Sequence, residues 1–342
     1  MAAKQGDATA MLQTGVAYET GVGTAADGAK AEEYYRQAAS AGNTEATYRL
    51  GKLYEEGTLL SADPEEAFVY YQVAAAQGFA PAQEAVARFY QAGKGGATKD
   101  EGEALLWWVR AAKQGDKAAL QKVKEAQMND LLLYERVLAF DDLLQKPQQE
   151  LDAAACFDIG KSFRQGNPIA RNDEEAFKWF KEAWNKGEGF SQAAVEMAEM
   201  YRLGEGIEKN EQKALSLYAE AAELKNSEAQ YFLGKRSYEE NPPNYKDAFA
   251  WFSNAAEQGY APAQYMTGYM LLQGQGTPRS QKLAVDFFTR SAQQEYSAAQ
   301  YVLGQIYWKG LGIKKNQELG RSWLEKAAQN GNVSAQTFLE SI

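Results

Sequence analysis

The chain carries 36 lysines and arginines against 46 aspartates and glutamates over 342 residues, a formal charge of −10, with no histidine and one cysteine. Lack of histidine removes Ser–His–Asp and Cys–His nucleophile systems, imidazole proton shuttles and His-ligated metals from within the chain, and Cys156 alone forms no internal disulfide. The acidic balance opposes nucleic acid, whose affinity rests on Lys and Arg neutralising phosphates, and suits a basic protein partner instead.

Taken in chain order, residues 1–7 lack the apolar core of a signal peptide, and no later run of about 18 apolar residues predicts a membrane span. Ala2-Ala3-Lys4-Gln5-Gly6-Asp7 duplicates Ala111-Ala112-Lys113-Gln114-Gly115-Asp116, so the chain is expected to open on the end of a helix belonging to a longer array. The expected location is periplasmic or secreted if an upstream signal peptide precedes that array, and cytoplasmic otherwise.

From Ala10 a marker alanine recurs at Ala46, Ala82, Ala119, Ala193, Ala229, Ala263, Ala299 and Ala335, mostly 36 residues apart, with one blurred repeat near Ala154 or Ala155. Five residues after the marker stands a small residue, as in Gly15, Gly51, Ala87, Ala198, Gly234, Gly268 and Gly304. An aromatic often follows three further on, as in Tyr18, Tyr54, Tyr90, Phe163, Tyr201 and Tyr307. Glycine turns such as Gly204-Glu205-Gly206 and Gly310-Leu311-Gly312 then precede a second segment whose apolar residues, for instance Ala67, Phe68, Tyr71, Ala74 and Ala75, keep helical spacing. Each unit therefore reads as two amphipathic helices. The small residue lets the second helix approach, the glycines end the first helix, and stacking of pairs makes the core.

Asn129–Leu151 departs from the pattern. Leu131-Leu132-Leu133-Tyr134 and Val137-Leu138-Ala139-Phe140 make a strongly apolar helix without the repeat's glycines, ahead of Pro147. It reads as a degenerate repeat, a joint between two halves, or a patch for a partner. The expected organisation is repeats over 1–128, this segment over 129–152, and repeats over 153–342.

The pattern Ala-x-x-x-Leu-Gly-x-x-Tyr-x-x-Gly-x-Gly, then Ala-x-x-Trp/Tyr, then Ala-Ala-x-x-Gly, resembles the Sel1-like repeat, a relative of the tetratricopeptide repeat. Leu303, Gly304, Tyr307, Gly310, Gly312, Trp323, Ala327, Ala328 and Gly331 carry the resemblance, with Ala46, Leu50, Gly51, Tyr54, Gly57, Ala67, Tyr71, Ala74, Ala75 and Gly78. It implies an all-α fold, a right-handed superhelical α-solenoid of about nine helix pairs, working as a protein-binding scaffold, typically a bacterial adaptor. Narrower roles in the family are immunity proteins that neutralise a secreted toxin and envelope polysaccharide assembly adaptors. The family's disulfide-linked subclass does not apply to a chain with Cys156 alone. No enzyme activity and no cofactor is expected.

By the same resemblance, inward positions lie three before, one after and four after the small residue of the first helix. These columns give Tyr48, Lys52 and Glu55; Phe157, Lys161 and Arg164; Val195, Glu199 and Arg202. They then turn aromatic: Tyr231, Lys235 and Tyr238; Tyr265, Tyr269 and Leu272; Tyr301, Gln305 and Trp308. The tripeptide Ala-Gln-Tyr at Ala229, Ala263 and Ala299 sets Tyr231, Tyr265 and Tyr301 in one column, and aromatic residues of this kind dominate binding hot spots. The expected partner-binding set is Tyr231, Tyr265, Tyr301, Tyr269, Trp308, Tyr238, Lys235, Arg202 and Tyr48. The alternative is that the rings pack between neighbouring repeats. A glycan is a second candidate ligand, with Gln264, Gln300 and Gln305 as its amide partners.

Other motifs reduce to structure. The Gly-x-Gly turns follow helices rather than strands and lack a third glycine, and Gly93–Lys99 lacks the ending of a phosphate loop. Glu55-Glu56, Asp141-Asp142 and Glu239-Glu240 read as solvated helix faces, Asn332-Val333-Ser334 as too short a pattern for glycosylation, and Cys156 as a buried hydrophobe.

Overall fold

A computed structural model describes residues 7–187 and 190–342. The copied hexapeptide lies outside the described residues except for Asp7, which caps the first helix as Asp116 caps the seventh. Among the described residues there are nineteen α-helices and no strand. They run in pairs: α1 (Ala8–Thr20) with α2 (Gly28–Ser40), α3 (Thr44–Glu56) with α4 (Pro64–Ala76), and α5 (Ala80–Ala92) with α6 (Glu101–Lys113). Next come α7 (Lys117–Asn129) with α8 (Leu131–Leu144), α9 (Ala153–Gln165) with α10 (Asp173–Lys186), and α11 (Ser191–Leu203) with α12 (Glu211–Glu223). The last are α13 (Ser227–Glu239) with α14 (Tyr245–Glu257), α15 (Ala261–Gln273) with α16 (Gln281–Gln293), α17 (Ser297–Lys309) with α18 (Gln317–Gln329), and a single α19 (Val333–Glu340). None is long and apolar enough to cross a membrane. The chain divides into two compact units, one taking the residues up to Leu151 with Asp158–Ala176, the other Asp152–Phe157 with Phe177–Ile342.

Most pairs, though not α7–α8 or α13–α14, are closed by the same local chemistry. A residue in the left-handed region ends the first helix, Gly57 at φ 63° and Gly274 at φ 74°, where a side chain would be strained. The residue that caps the second helix then donates its backbone N–H to the carbonyl of the aromatic column, Asp63 to Tyr54 (3.0 Å) and Asn316 to Tyr307 (2.9 Å). Its side chain accepts from the first turn of that helix.

The small residue of the first helix does what its spacing predicts. A Cβ on Gly51 would lie 2.7 Å from the Tyr71 ring, and one on Gly234 2.7 Å from Phe252. The marker alanines Ala46, Ala82, Ala119, Ala193, Ala229, Ala263, Ala299 and Ala335 are fully buried, whereas Ala154 and Ala155 of the blurred repeat are not. The glutamine that follows the marker in several repeats forms a clasp. Gln83 of α5 donates to the Ala75 carbonyl at the end of α4 and accepts from Gln114 beyond α6, at 3.3 and 2.7 Å. Gln230, Gln264 and Gln300 do the same with Ala222, Ala256 and Ala292, and with Gln258, Gln294 and Asn330. Each adds a second hydrogen bond to a helix-end carbonyl that also accepts the backbone N–H three residues on.

The pair α7–α8 departs from this. Lys124 stands where the others have a small residue, and α8 packs on α6 as well as on α7. Only Ala119 of α7 is buried, while Leu120, Met128, Leu131 and Leu132 are exposed. Docking of α8 centres on Asp141, which is fully buried and accepts from Arg110 Nε at 2.7 Å and Lys113 Nζ at 2.8 Å. Burial pushes its carboxyl up, but Lys113 and Arg110 outweigh that and hold it below the ordinary range. Asp141 is therefore not on a solvated face as its sequence context suggests, because two cations of α6 replace its water. Glu55 is corrected likewise. It is mostly buried, accepting from the Tyr71 hydroxyl at 2.7 Å and facing Arg88 and Lys94 at 3.2 and 3.3 Å. Cys156 is buried, as its surroundings predict.

Candidate functional site

Three tyrosines of the first-helix column share one geometry. Tyr231 lies between Phe252 of α14 and Tyr260 ahead of α15, with ring centroids at 5.5 and 5.4 Å. Tyr265 lies between Phe288 and Tyr296 at 5.8 and 5.6 Å, and Tyr48 between Tyr71 and Phe79 at 5.5 and 5.3 Å. Each ring is a wedge between the second helix of its own pair and the residue that opens the next pair, and each keeps part of its surface in solvent. The packing alternative raised by the sequence thus describes one side of these rings, and the accessible edge is the other.

Phe79, Phe190, Tyr260 and Tyr296 escaped the sequence reading. All four stand three residues before a marker alanine, so an aromatic at that offset was the available signal. Tyr260 and Tyr296 turn the column into a continuous row with Tyr231 and Tyr265. Burial raises the hydroxyl pKa of all four, keeping them neutral donors well above physiological pH. Tyr301, in the same column, packs instead on Leu324, Ala327 and Ala335, its hydroxyl accepting from Gln305 Nε2 at 2.8 Å.

The remaining predicted residues scatter around it. Tyr238 packs on Tyr245 at 5.3 Å and donates to Gln275 Oε1 at 3.3 Å, and Tyr269 is half-buried beside Tyr265. Trp308 meets Phe338 of α19 edge to face at 6.4 Å. Val195 is buried in the core, so its column does not reach solvent there. Gln264 and Gln300 are 4% and 2% exposed and fully engaged as clasps, which withdraws them as amide partners for a sugar.

Within the second unit, α11, α12, α13 and Tyr260 enclose an open cleft of about 680 Å³. Its polar wall is built from a buried hydroxyl outward. Tyr218 of α12 donates to Glu199, which also receives Arg202 through Nε and Nη2 at 2.9 and 2.6 Å. The same arrangement recurs where the second helix carries tyrosine, Tyr35 on Glu19 and Tyr71 on Glu55. Phe180, Phe252 and Phe288 occupy that place in other pairs and need no acceptor. Lys235 is exposed and lies 3.8 Å from Glu239. The two cations expected to orient a partner, Arg202 and Lys235, thus already face carboxylates. Such a cleft offers ring faces, neutral hydroxyls and fixed charge. Among the described residues no group of three or more carboxylates or thiols is arranged to hold a metal ion.

The family model of the Sel1 repeat matches residues 8–43, 44–79, 80–116, 153–188, 191–226, 227–260, 261–296 and 297–332. The chain is similar to the crystal structure of a protective antigen of uropathogenic Escherichia coli with an SLR fold, at 28% identity and TM-score 0.50, covering 98% of this chain and 79% of that one. It is also similar to a Sel1 repeat protein from Oxalobacter formigenes, at 27% identity and TM-score 0.51, covering 99% and 87%. A curated F-box protein of Arabidopsis thaliana is 38% identical over 64 residues, which is 19% of this chain and 18% of that protein. Only α7–α8 falls outside the matched pairs, the pair whose small residue is replaced by Lys124. With eight helix pairs bearing its signature, the chain belongs to the Sel1 repeat family.

Proposed function

We propose that the chain is a non-catalytic scaffold that holds a partner protein along the first-helix face of its second unit. Sel1 repeat proteins are generally protein-interaction scaffolds. The observation that carries the reading is the row of half-buried tyrosines, Tyr231, Tyr260, Tyr265 and Tyr296, beside the charged cleft. Such rings present large, rigid contact area with a hydrogen-bonding tip and are already partly ordered before binding. Tyr269, Tyr301 and Trp308 extend the surface, and Tyr238, Lys235 and Arg202 border it. Tyr48 is its counterpart in the first unit.

The test is affinity capture from a lysate of the source organism with two baits of equal helicity and melting temperature. One is the wild type. The other carries Tyr231→Phe, Tyr265→Phe and Tyr301→Phe, which keeps the wedges and removes the hydroxyls, with Trp308→Ala added at the rim. A protein retained by the first bait and lost by the second supports the reading. If that protein is a secreted toxin, the role is immunity; if an envelope assembly component, adaptor work. Equal recovery of every protein on both baits would sink the reading.

A further inference from the structure

The cleft carries five carboxylates against three cations. Each cation faces one of three of those acids: Arg202 pairs with Glu199 at 2.6 Å, Arg236 with Glu211 at 3.7 Å and Lys235 with Glu239 at 3.8 Å. Glu228 and Glu240 are left over, with no cation within 4 Å of either among the described residues. Among the described residues the one side-chain hydrogen bond to Glu228 comes from the neutral Gln192 amide, at 3.3 Å. Both acids line the same space as Tyr231 and Tyr260, whose rings are each partly exposed.

We infer that this cleft receives an arginine- or lysine-bearing segment of the partner, its cation set against Glu228 and Glu240 and its stem laid over Tyr231 and Tyr260. The inference rests on the scaffold reading above and adds the chemistry of the partner. A guanidinium or ammonium over a tyrosine face is attracted by the ring, and the exposed carboxylates of Glu228 and Glu240 add to that attraction. An acidic segment would meet two unpaired like charges instead. The volume exceeds that of one side chain and the cleft opens beside the tyrosine row, so a length of chain suits it better than an isolated small cation.

The inference is tested by fluorescence anisotropy on the full chain. The probes are labelled peptides of four Gly-Ser-Arg units and the matched lysine and glutamate peptides, at 50 and 300 mM salt. The arginine and lysine peptides should bind, more weakly at the higher salt, and the glutamate peptide should not. Glu228→Gln with Glu240→Gln should weaken the arginine peptide at least tenfold, and so should Tyr260→Leu. Glu318→Gln with Glu340→Gln, the same charge change on exposed helices outside the cleft, should leave it within twofold. Equal losses in the cleft and control variants would reduce the effect to the −10 charge of the whole chain and overturn the inference. No binding by either basic peptide would overturn it too. If a partner were still captured through the tyrosine row in that case, the scaffold reading would stand and only the chemistry given to the partner would fail.

Discussion

Gln264 shows how one side chain ties three helices together. Buried between Ala256, at the end of α14, and Gln294, beyond α16, it answers a carbonyl with its amide and an amide with its carbonyl. Gln264→Leu should leave the Gln294 amide without its partner and the Ala256 carbonyl with the Gly259 N–H alone, and cost about 1–2 kcal/mol, read from chemical unfolding, with helicity at 25 °C unchanged. The Ala-Gln-Tyr tripeptide was legible as a repeat, but its glutamine was not legible as a clasp, since its partner carbonyl lies eight residues back across a turn. Gly51 is the opposite case, legible from spacing alone. Gly51→Val should place methyl groups into the Tyr71 ring and destabilise the first unit by about 2–3 kcal/mol. Glu103 was not legible. Burial, with Asp100 adding, pushes its carboxyl up to about 7, against a smaller pull from Arg110 and Trp107. The folded protein therefore binds this proton more tightly than the unfolded chain does. Its contribution is present below about pH 4.5 and is lost as pH rises toward 7. Glu103→Gln should raise stability at pH 8 by about 2 kcal/mol and change it little at pH 4, a difference that melting curves at the two values would show.

At the scale of the helix, most elements could be placed from the sequence because the caps, the small residue and the glycine turn recur in register. The exception is α8. Its apolar character was legible and its partner was not, since its docking depends on Asp141 finding Arg110 and Lys113 some thirty residues earlier. Acidic pairs on helices are usually solvated, so sequence context points the wrong way here. Asp141→Ala should leave the Arg110 guanidinium without its carboxylate and cost roughly 3 kcal/mol. Fraying of α8, followed by hydrogen exchange at Val137 and Phe140, should accompany the loss, while exchange in α13–α18 stays unchanged. Uniform acceleration along the whole chain would argue against α8 as a separately anchored element.

For the molecule as a whole, the candidate surface was half legible. Tyr231, Tyr265 and Tyr301 could be found by column, because one position per repeat returns to one face. Their double role could not, since Tyr260 and Tyr296 belong to the turn before the next repeat and complete the wedge from outside the column. That double role makes stability and binding inseparable in a Tyr231→Ala variant, which should cost about 2 kcal/mol or more in each. Tyr231→Phe should cost under 1 kcal/mol of stability, so any larger loss of partner affinity, measured by calorimetry, would report the hydroxyl itself.

The most direct test of the account is hydrogen exchange of the full chain with and without the captured partner. Slowed exchange is predicted in α11, α13, α15 and α17, in the turns holding Tyr260 and Tyr296 and at the cleft wall of α12, with α14, α16 and α18 unchanged. Protection confined to α14, α16 and α18, or to the exposed leucines of α7 and α8, would contradict it.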